Sequence, residues 1–265
     1  MTKRSEHVSD PVWLTDAFSK PGATIRSVAT AAGCDEKTVR RWKARYGVAS
    51  RPMSENASLR QSRTDELPAT TLEVIEGELL GDGNLNSTKR LKAGQYVSAS
   101  YMHSTCHRPY LEWLDDQLQG MESKLYGPYA TSLNGTGWAL RTPRYTALLP
   151  LYRRWYDPSR PAYRRKVVPQ DLRVTPRMAL HWYLGDGTLA VDRRSAGTKP
   201  IIRLSTDGFE LEEVERLAAQ LTHCRARIGR FGTRHRIVLD SAPFLEWIGP
   251  CPVPDIYGYK WRPRA

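Results

Sequence analysis

The apolar positions of the chain fall into two kinds of segment. Between Val28 and Gly47, Val28, Ala32, Cys34, Val39 and Trp42 recur at helical spacing, with Ala29 small at a crossing point and Gly33 four residues later at a turn. Residues 11–48 therefore read as a small all-α unit of short helices. Residues 49–70 are polar, rich in Ser and Asn, carry Pro, and have little periodicity, so they read as a linker. From Thr71 onward, helical and alternating patterns take turns. Apolar helical stretches (TLEVIEGELL, PRMALHWYL) are each followed by two strand-like runs, at 84–91 with 95–103 and at 188–194 with 200–206. A helix follows (108–119; 210–221), then two more strands (125–132 with 136–142; 225–231 with 234–240) and a short helix (145–155; 242–248). The pattern is αββαββα, written twice over 71–170 and 171–265. It predicts an α+β fold with pseudo-twofold symmetry behind the all-α unit at 1–48.

The duplication is also visible letter by letter. LGDGNL runs from Leu80 to Leu85 and LGDGTL from Leu184 to Leu189. A given tetrapeptide arises by chance at roughly one position in 10⁴–10⁵, so two copies at the same place in a repeated unit are not coincidence. Each copy closes an apolar helix, and Gly83 and Gly187 stand where a left-handed residue would end it. Asp82 and Asp186 then lie at helix C-termini, where the negative end of the macrodipole disfavours a carboxylate. If the two helices pack side by side, both carboxylates meet at one point. Gly77, Gly81 and Gly185 are small enough to let the helices approach. Such a cluster repels itself until a hard cation such as Mg²⁺ joins it. The alternative is that Asp-Gly merely makes a helix-to-strand turn.

Charge narrows the partner. The chain has 265 residues, a net charge of +12 and 40% hydrophobic residues, enough for a folded core and an excess suited to phosphate. RNA-binding, ribosomal and membrane-surface proteins share such a charge. No apolar run reaches a membrane span, and MTKRSEHVSD lacks the apolar core of a secretory signal, so a cytoplasmic, nucleoid-associated location is expected. Cys34, Cys106, Cys224 and Cys251 are far apart and read as reduced thiols. A zinc site at His103, Cys106 and His107 is disfavoured by strand and loop geometry.

IEGELLGDG (Ile75–Gly83) and ALHWYLGDG (Ala179–Gly187) resemble the two signature helices of the LAGLIDADG homing endonucleases, over about 195 residues from Thr71 onward. The resemblance implies a duplicated αββαββα fold whose two sheets straddle DNA. It implies that Asp82 and Asp186, beside Gly81 and Gly185, hold Mg²⁺ (or Mn²⁺) at the scissile phosphates, and that Lys166 and Lys260 stand near the attacking water. Plain phosphate contact is the other reading of these lysines. Leu80 and Leu184 replace an earlier acid of the motif, and His181 replaces the glycine equivalent to Gly77, making the helix contact asymmetric.

Strand alternation sets Tyr96, Ser98 and Ser100 on one face and Val97, Ala99 and Tyr101 on the other. Lys89, Gln95, Arg141, Arg193, Arg194, Arg203, Arg225, Arg227, Arg234 and Arg236 extend the polar set toward base edges and phosphates. Near the N-terminus, Asp35 is placed to cap a second helix that exposes Lys37, Thr38, Arg40, Arg41, Lys43 and Arg45. This stretch resembles the helix-turn-helix of transposases and phage proteins; a helix for protein contact is the alternative. Together these features point to a monomeric, divalent-metal-dependent endonuclease on double-stranded DNA with a long asymmetric target. Two other classes are a non-cleaving DNA-binding regulator of the same fold and an RNA maturase.

Overall fold

Buried apolar residues separate into two clusters, and each organises one part of the chain. The computed structural model describes residues 6–20, 23–48, 62–87, 97–130, 135–160, 165–192 and 199–262. The first cluster joins Val8, Leu14, Phe18, Val28, Ala29, Ala32 and Val39. They come from three short helices, α1 (Pro11–Ser19), α2 (Ile25–Ala32) and α3 (Glu36–Arg45), and a 3₁₀ turn at Glu6–Ser9. Gly33 ends α2 at φ 64°, a left-handed value that glycine adopts without strain. Asp35 caps α3 by accepting from the Thr38 amide at 2.7 Å. Both roles follow the sequence expectation.

The second cluster spans both repeats, from Val74 to Tyr257. The first repeat runs α4 (Ala69–Leu80), β1 (Asn84–Ser87), β2 (Ala99–Thr105), α5 (Arg108–Gln117), β3 (Lys124–Ala130), β4 (Thr136–Arg141) and α6 (Leu148–Trp155). The second runs α7 (Pro176–Asp186), β5 (Gly187–Asp192), β6 (Lys199–Ser205), α8 (Leu211–Gln220), β7 (Arg227–Phe231), β8 (Arg234–Asp240) and α9 (Ser241–Ile248). The antiparallel sheets have the same order, β1-β2-β4-β3 and β5-β6-β8-β7. The αββαββα duplication is therefore present with its topology as well as its elements.

Each sheet turns an apolar face to the helices. Leu85, Tyr101 and Leu140 do so in the first, and Ile202, Leu204, Ile237 and Leu239 in the second. The alternate residues form the opposite faces. Some element edges differ from the periodicity. Ser62–Arg63, assigned to the linker, pairs in parallel with Arg144–Tyr145, so α6 begins only at Leu148. Arg225 is a left-handed cap at φ 52° after a short 3₁₀ turn, which delays β7 to Arg227. Residues 49–61 of the expected linker lie outside the described residues.

Candidate active site

α4 and α7 cross at Gly77. A β-carbon there would sit 2.7 Å from the Met178 carbonyl oxygen and 2.9 Å from the His181 β-carbon. Only glycine fits, and the bulk of His181 occupies the space that Gly77 leaves. This complementarity brings the ends of the two helices together. A β-carbon on Gly185 would lie 3.4 Å from the Asp82 amide nitrogen and 3.6 Å from Asp82 Oδ2, and one on Gly81 would lie 3.7 Å from the Asp186 amide. The two acids of the repeated motif thus stand on facing helix ends, as the sequence predicted.

The glycines that follow them work differently from the expectation. Neither Gly83 nor Gly187 has positive φ. A β-carbon on Gly83 would be 2.7 Å from the Glu78 β-carbon, and one on Gly187 would be 1.9 Å from Tyr183 Cδ2. Close packing of each chain reversal against its own helix, rather than a left-handed cap, excludes side chains there.

The helix ends are capped by lysines. Lys166 Nζ donates to the Gly81 and Gly83 carbonyls at 2.6 and 3.1 Å. Lys260 Nζ donates to Leu184, Tyr183 and Gly185 at 2.7, 3.0 and 3.4 Å. Two cations therefore occupy the negative ends of two helices, which is the favourable placement. Burial lowers the Lys260 ammonium to about 8 although Asp186 and Asp82 pull it upward; burial lowers Lys166 against the same two acids. Burial and the Asp82 charge push the Asp186 carboxyl up to about 6, with Lys166 and Lys260 opposing. Asp82 is exposed and Asp186 partly buried. A cavity of about 510 Å³ opens beside Asp186, lined among others by Asn84, Asn86, Arg165, Lys166 and Asp207.

These residues suit a hard divalent cation. Two carboxylates are held close together, and burial first, then the Asp82 charge, raises the Asp186 carboxyl. The Gly81 and Gly185 carbonyls, expected as further donors, each accept from a lysine here and retain a second lone pair. Among the described residues, no three His, Cys, Asp or Glu side chains gather as metal ligands, those of His103, Cys106 and His107 included. His103 instead bonds Glu78, and the cysteines are free thiols.

A polar cluster that the sequence reading did not single out lies directly behind the acids. Glu78, 1% exposed, accepts from Tyr110 Oη at 2.6 Å and Tyr101 Oη at 3.0 Å. His103 Nδ1 is 2.6 Å and His181 Nδ1 2.9 Å from its oxygens. Burial opposes the Glu78 charge, but His103 and His181 outweigh it and hold the carboxyl far below its ordinary range. His103 is raised, its attraction to Glu78 overcoming its own burial. The sequence signal was weak: Glu78 is one of three glutamates on α4, with Glu73 and Glu76, and only its place in the last turn among Ile75, Leu79 and Leu80 marks it as an acid that would be buried and require partners.

The sheet faces sort the remaining candidates. Arg203, Arg227, Arg234 and Arg236 alternate onto the face of the second sheet turned away from the core, and Arg141 is exposed on the first. Arg225 is exposed but precedes its strand. Ser98 is a correction: it is 2% exposed, ahead of the first residue of β2, with its carbonyl accepting from Ser87 Oγ. Ser100 takes the outward place. Lys89, Gln95, Tyr96, Arg193 and Arg194 lie outside the described residues. On α3, Lys37, Arg40, Arg41 and Arg45 are exposed. Lys43 instead places its Nζ 5.5 Å over the Phe18 ring, while Thr38 shares the exposed face with its hydroxyl donating to Asp35 at 3.1 Å. No helix among the described residues is long and apolar enough to cross a membrane.

Comparison with known proteins finds similar sequences and folds. A protein of Methanocaldococcus jannaschii, MJ1098, is 27% identical over 209 residues, 78% of this chain and 76% of that protein. The structure of the homing endonuclease I-WcaI bound to its DNA recognition sequence aligns with a TM-score of 0.61 at 21% identity, over 84% of this chain and 98% of that one. That of the meganuclease I-SmaMI bound to uncleavable DNA aligns with a TM-score of 0.45 at 10% identity, over 70% and 86%. The LAGLIDADG DNA endonuclease family matches residues 72–243, from α4 into α9 and through both acidic motifs, and the chain belongs to that family.

Proposed function

We propose that this chain is a site-specific endonuclease that hydrolyses phosphodiester bonds in double-stranded DNA. The observation that carries the reading is the pair of acids, Asp82 and Asp186, held at facing helix ends, where burial and the Asp82 charge raise the Asp186 carboxyl. An arrangement that stabilises nothing in the free protein finds its use when cation and phosphate arrive. Asp82 and Asp186 would hold Mg²⁺, or Mn²⁺ in its place. Bound there, the metal supplies a water of lowered pKa and neutralises charge on the phosphate.

The protein's own groups do the positioning. Gly77 and His181 fix the helix crossing, and Glu78 ties α4 to β2, α5 and α7 behind it. Lys166 and Lys260 hold the backbone on which the acids sit and place positive charge beside them; they are positioning residues. The outward sheet faces contact base edges and phosphates, and α3 adds Lys37, Arg40, Arg41 and Arg45 as a helix-turn-helix surface. Tethered to the nuclease, that surface raises the local concentration of DNA. Two unlike repeats in one chain suit a long asymmetric target and a monomer.

The test is selection of cleaved sites from a randomised or genomic DNA pool in Mg²⁺. A discrete cleaved sequence is expected, with Asp82→Asn and Asp186→Asn abolishing cleavage while retaining binding. Both variants cutting at the wild-type rate would remove the site assignment. Tight binding without cutting in any divalent metal would make the protein a regulator.

A further inference from the structure

The outward faces of the two sheets have the same geometry but different chemistry. The row that follows Gly187 runs Thr188–Arg203–Val238–Arg227, and the next row toward the strand ends runs Ser205–Arg236–Gly229. The row that follows Gly83 runs Asn84–Met102–Arg141–Lys124, flanked by Asn86–Ser100 and by Ser104–Ala139–Tyr126. Guanidinium groups dominate one face; amides and hydroxyls, with Arg141 and Lys124 at the far strands, make up the other.

The arginines of the second sheet are held in place. Arg236 donates from Nε and Nη2 to the two Asp207 oxygens at 3.1 and 2.8 Å, and Arg234 Nη1 donates to Asp207 at 3.0 Å. Arg227 Nη2 reaches Asp192 at 3.4 Å. The guanidinium carbons of Arg203 and Arg236 lie 5.1 and 5.4 Å from the Phe231 ring centroid. The acids cancel much of the arginines' long-range attraction to phosphate, but the clamp leaves N–H groups such as Nη1 of Arg236 free to donate. A pre-oriented guanidinium with spare donors matches the paired N7 and O6 acceptors of guanine. On the first sheet, Asn86 is exposed and bonds Asn84 at 3.2 Å. Asn86 donates that bond from Nδ2 and keeps its Oδ1 and second Nδ2 hydrogen, an edge that matches the donor and acceptor of adenine.

We infer, resting on the DNA-binding reading above, that the two repeats read half-sites of different base composition. The half under β5–β8 is specified by guanines facing Arg203, Arg227 and Arg236, and the half under β1–β4 by adenines facing Asn84 and Asn86.

The test enriches randomised duplexes on the full chain in EDTA, where binding is read without cutting. One half of the enriched site should be guanine-rich on one strand, the other adenine-rich. Arg236→Gln and Arg203→Gln should each lose one guanine preference by roughly tenfold or more, and Arg236→Lys should lose it despite keeping its charge. The slope of log affinity against log salt should stay unchanged, whereas loss of a phosphate contact would reduce it by about one and leave preference intact. Asn86→Arg should create a guanine preference in the other half. Halves of equal composition, or variants that keep the guanine preference, would overturn this inference alone. Failure to enrich any duplex would overturn it together with the DNA-binding reading.

Discussion

Replacing Asp186 with asparagine should stabilise the metal-free protein, and the size of the gain follows from the carboxyl's surroundings. Burial and the neighbouring Asp82 charge raise it from 3.8 to about 6, with Lys166 and Lys260 pulling the other way. A raised carboxyl means that the folded state holds its proton more tightly than the unfolded chain does. Below pH ~4 both states are protonated and nothing is lost. Between about 4 and 6 the unfolded chain ionises first, so stability falls as pH rises. Above 6 the full penalty is present. A shift of about two units corresponds to about 3 kcal/mol. Asp186→Asn removes the charge and keeps the shape. In EDTA at pH 8 it should raise the melting temperature by roughly 5–10 °C for a unit of this size. At pH 4 the gain should vanish. With Mg²⁺ the order should reverse, because a cation that binds only the folded wild type adds stability that the variant cannot gain. Scanning calorimetry of both proteins at the two pH values, with EDTA or Mg²⁺, reads all of this. Equal melting temperatures in EDTA at pH 8, or a gain that persists at pH 4, would refute the electrostatic account.

Other perturbations probe the scaffold around the acids. Glu78→Ala leaves His103, His181, Tyr101 and Tyr110 without their common acceptor and should destabilise by about 3–5 kcal/mol in urea denaturation. Gly77→Ala places a methyl group 2.7 Å from the Met178 carbonyl; it should lose about 1–3 kcal/mol and slow cleavage, seen by denaturation and by timed digestion of a plasmid target. Replacing Lys37 and Arg41 together by alanine should weaken DNA binding and lower the salt slope by about 2, leaving the position of cleavage unchanged on a sequencing gel.

The repeat, its element order and the meeting of Asp82 with Asp186 were legible because duplication and hydrophobic period are local signals. The role of the two motif glycines was not. Gly83 and Gly187 carry the letters of a left-handed cap, yet the reason for glycine is contact with Glu78 and Tyr183, which only the packed turn reveals. Ser98 has the alternation of an outward residue but lies before the strand begins, where the pleat no longer governs direction. Arg225 likewise has strand parity but sits in a turn that ends the preceding 3₁₀ helix. Thr38 and Lys43 lie on a basic helix, and their orientation depends on Asp35 and on Phe18 of a neighbouring helix, which charge pattern alone does not encode.

The two repeats agree where the helix ends meet and differ behind them. Asp82 and Asp186, Lys166 and Lys260, and the glycines beside them recur in both copies, so the helix ends keep one chemistry. One turn back the copies diverge: Gly77 faces His181, and Glu78 corresponds to Trp182 four residues before the acid. That divergence has a physical cause. Two identical helices with glycine at the crossing would leave a gap, and two with histidine would clash. One of each fills the space, and the histidine then needs an acceptor, which Glu78 supplies at 2.9 Å. Because Glu78 also takes His103, Tyr101 and Tyr110 of its own repeat, this one carboxylate joins both halves behind the acids. Pseudo-symmetry at the helix ends is therefore maintained by a contact that is itself asymmetric. A single chain can encode that contact, whereas a pair of identical subunits would have to place the same residue on both sides.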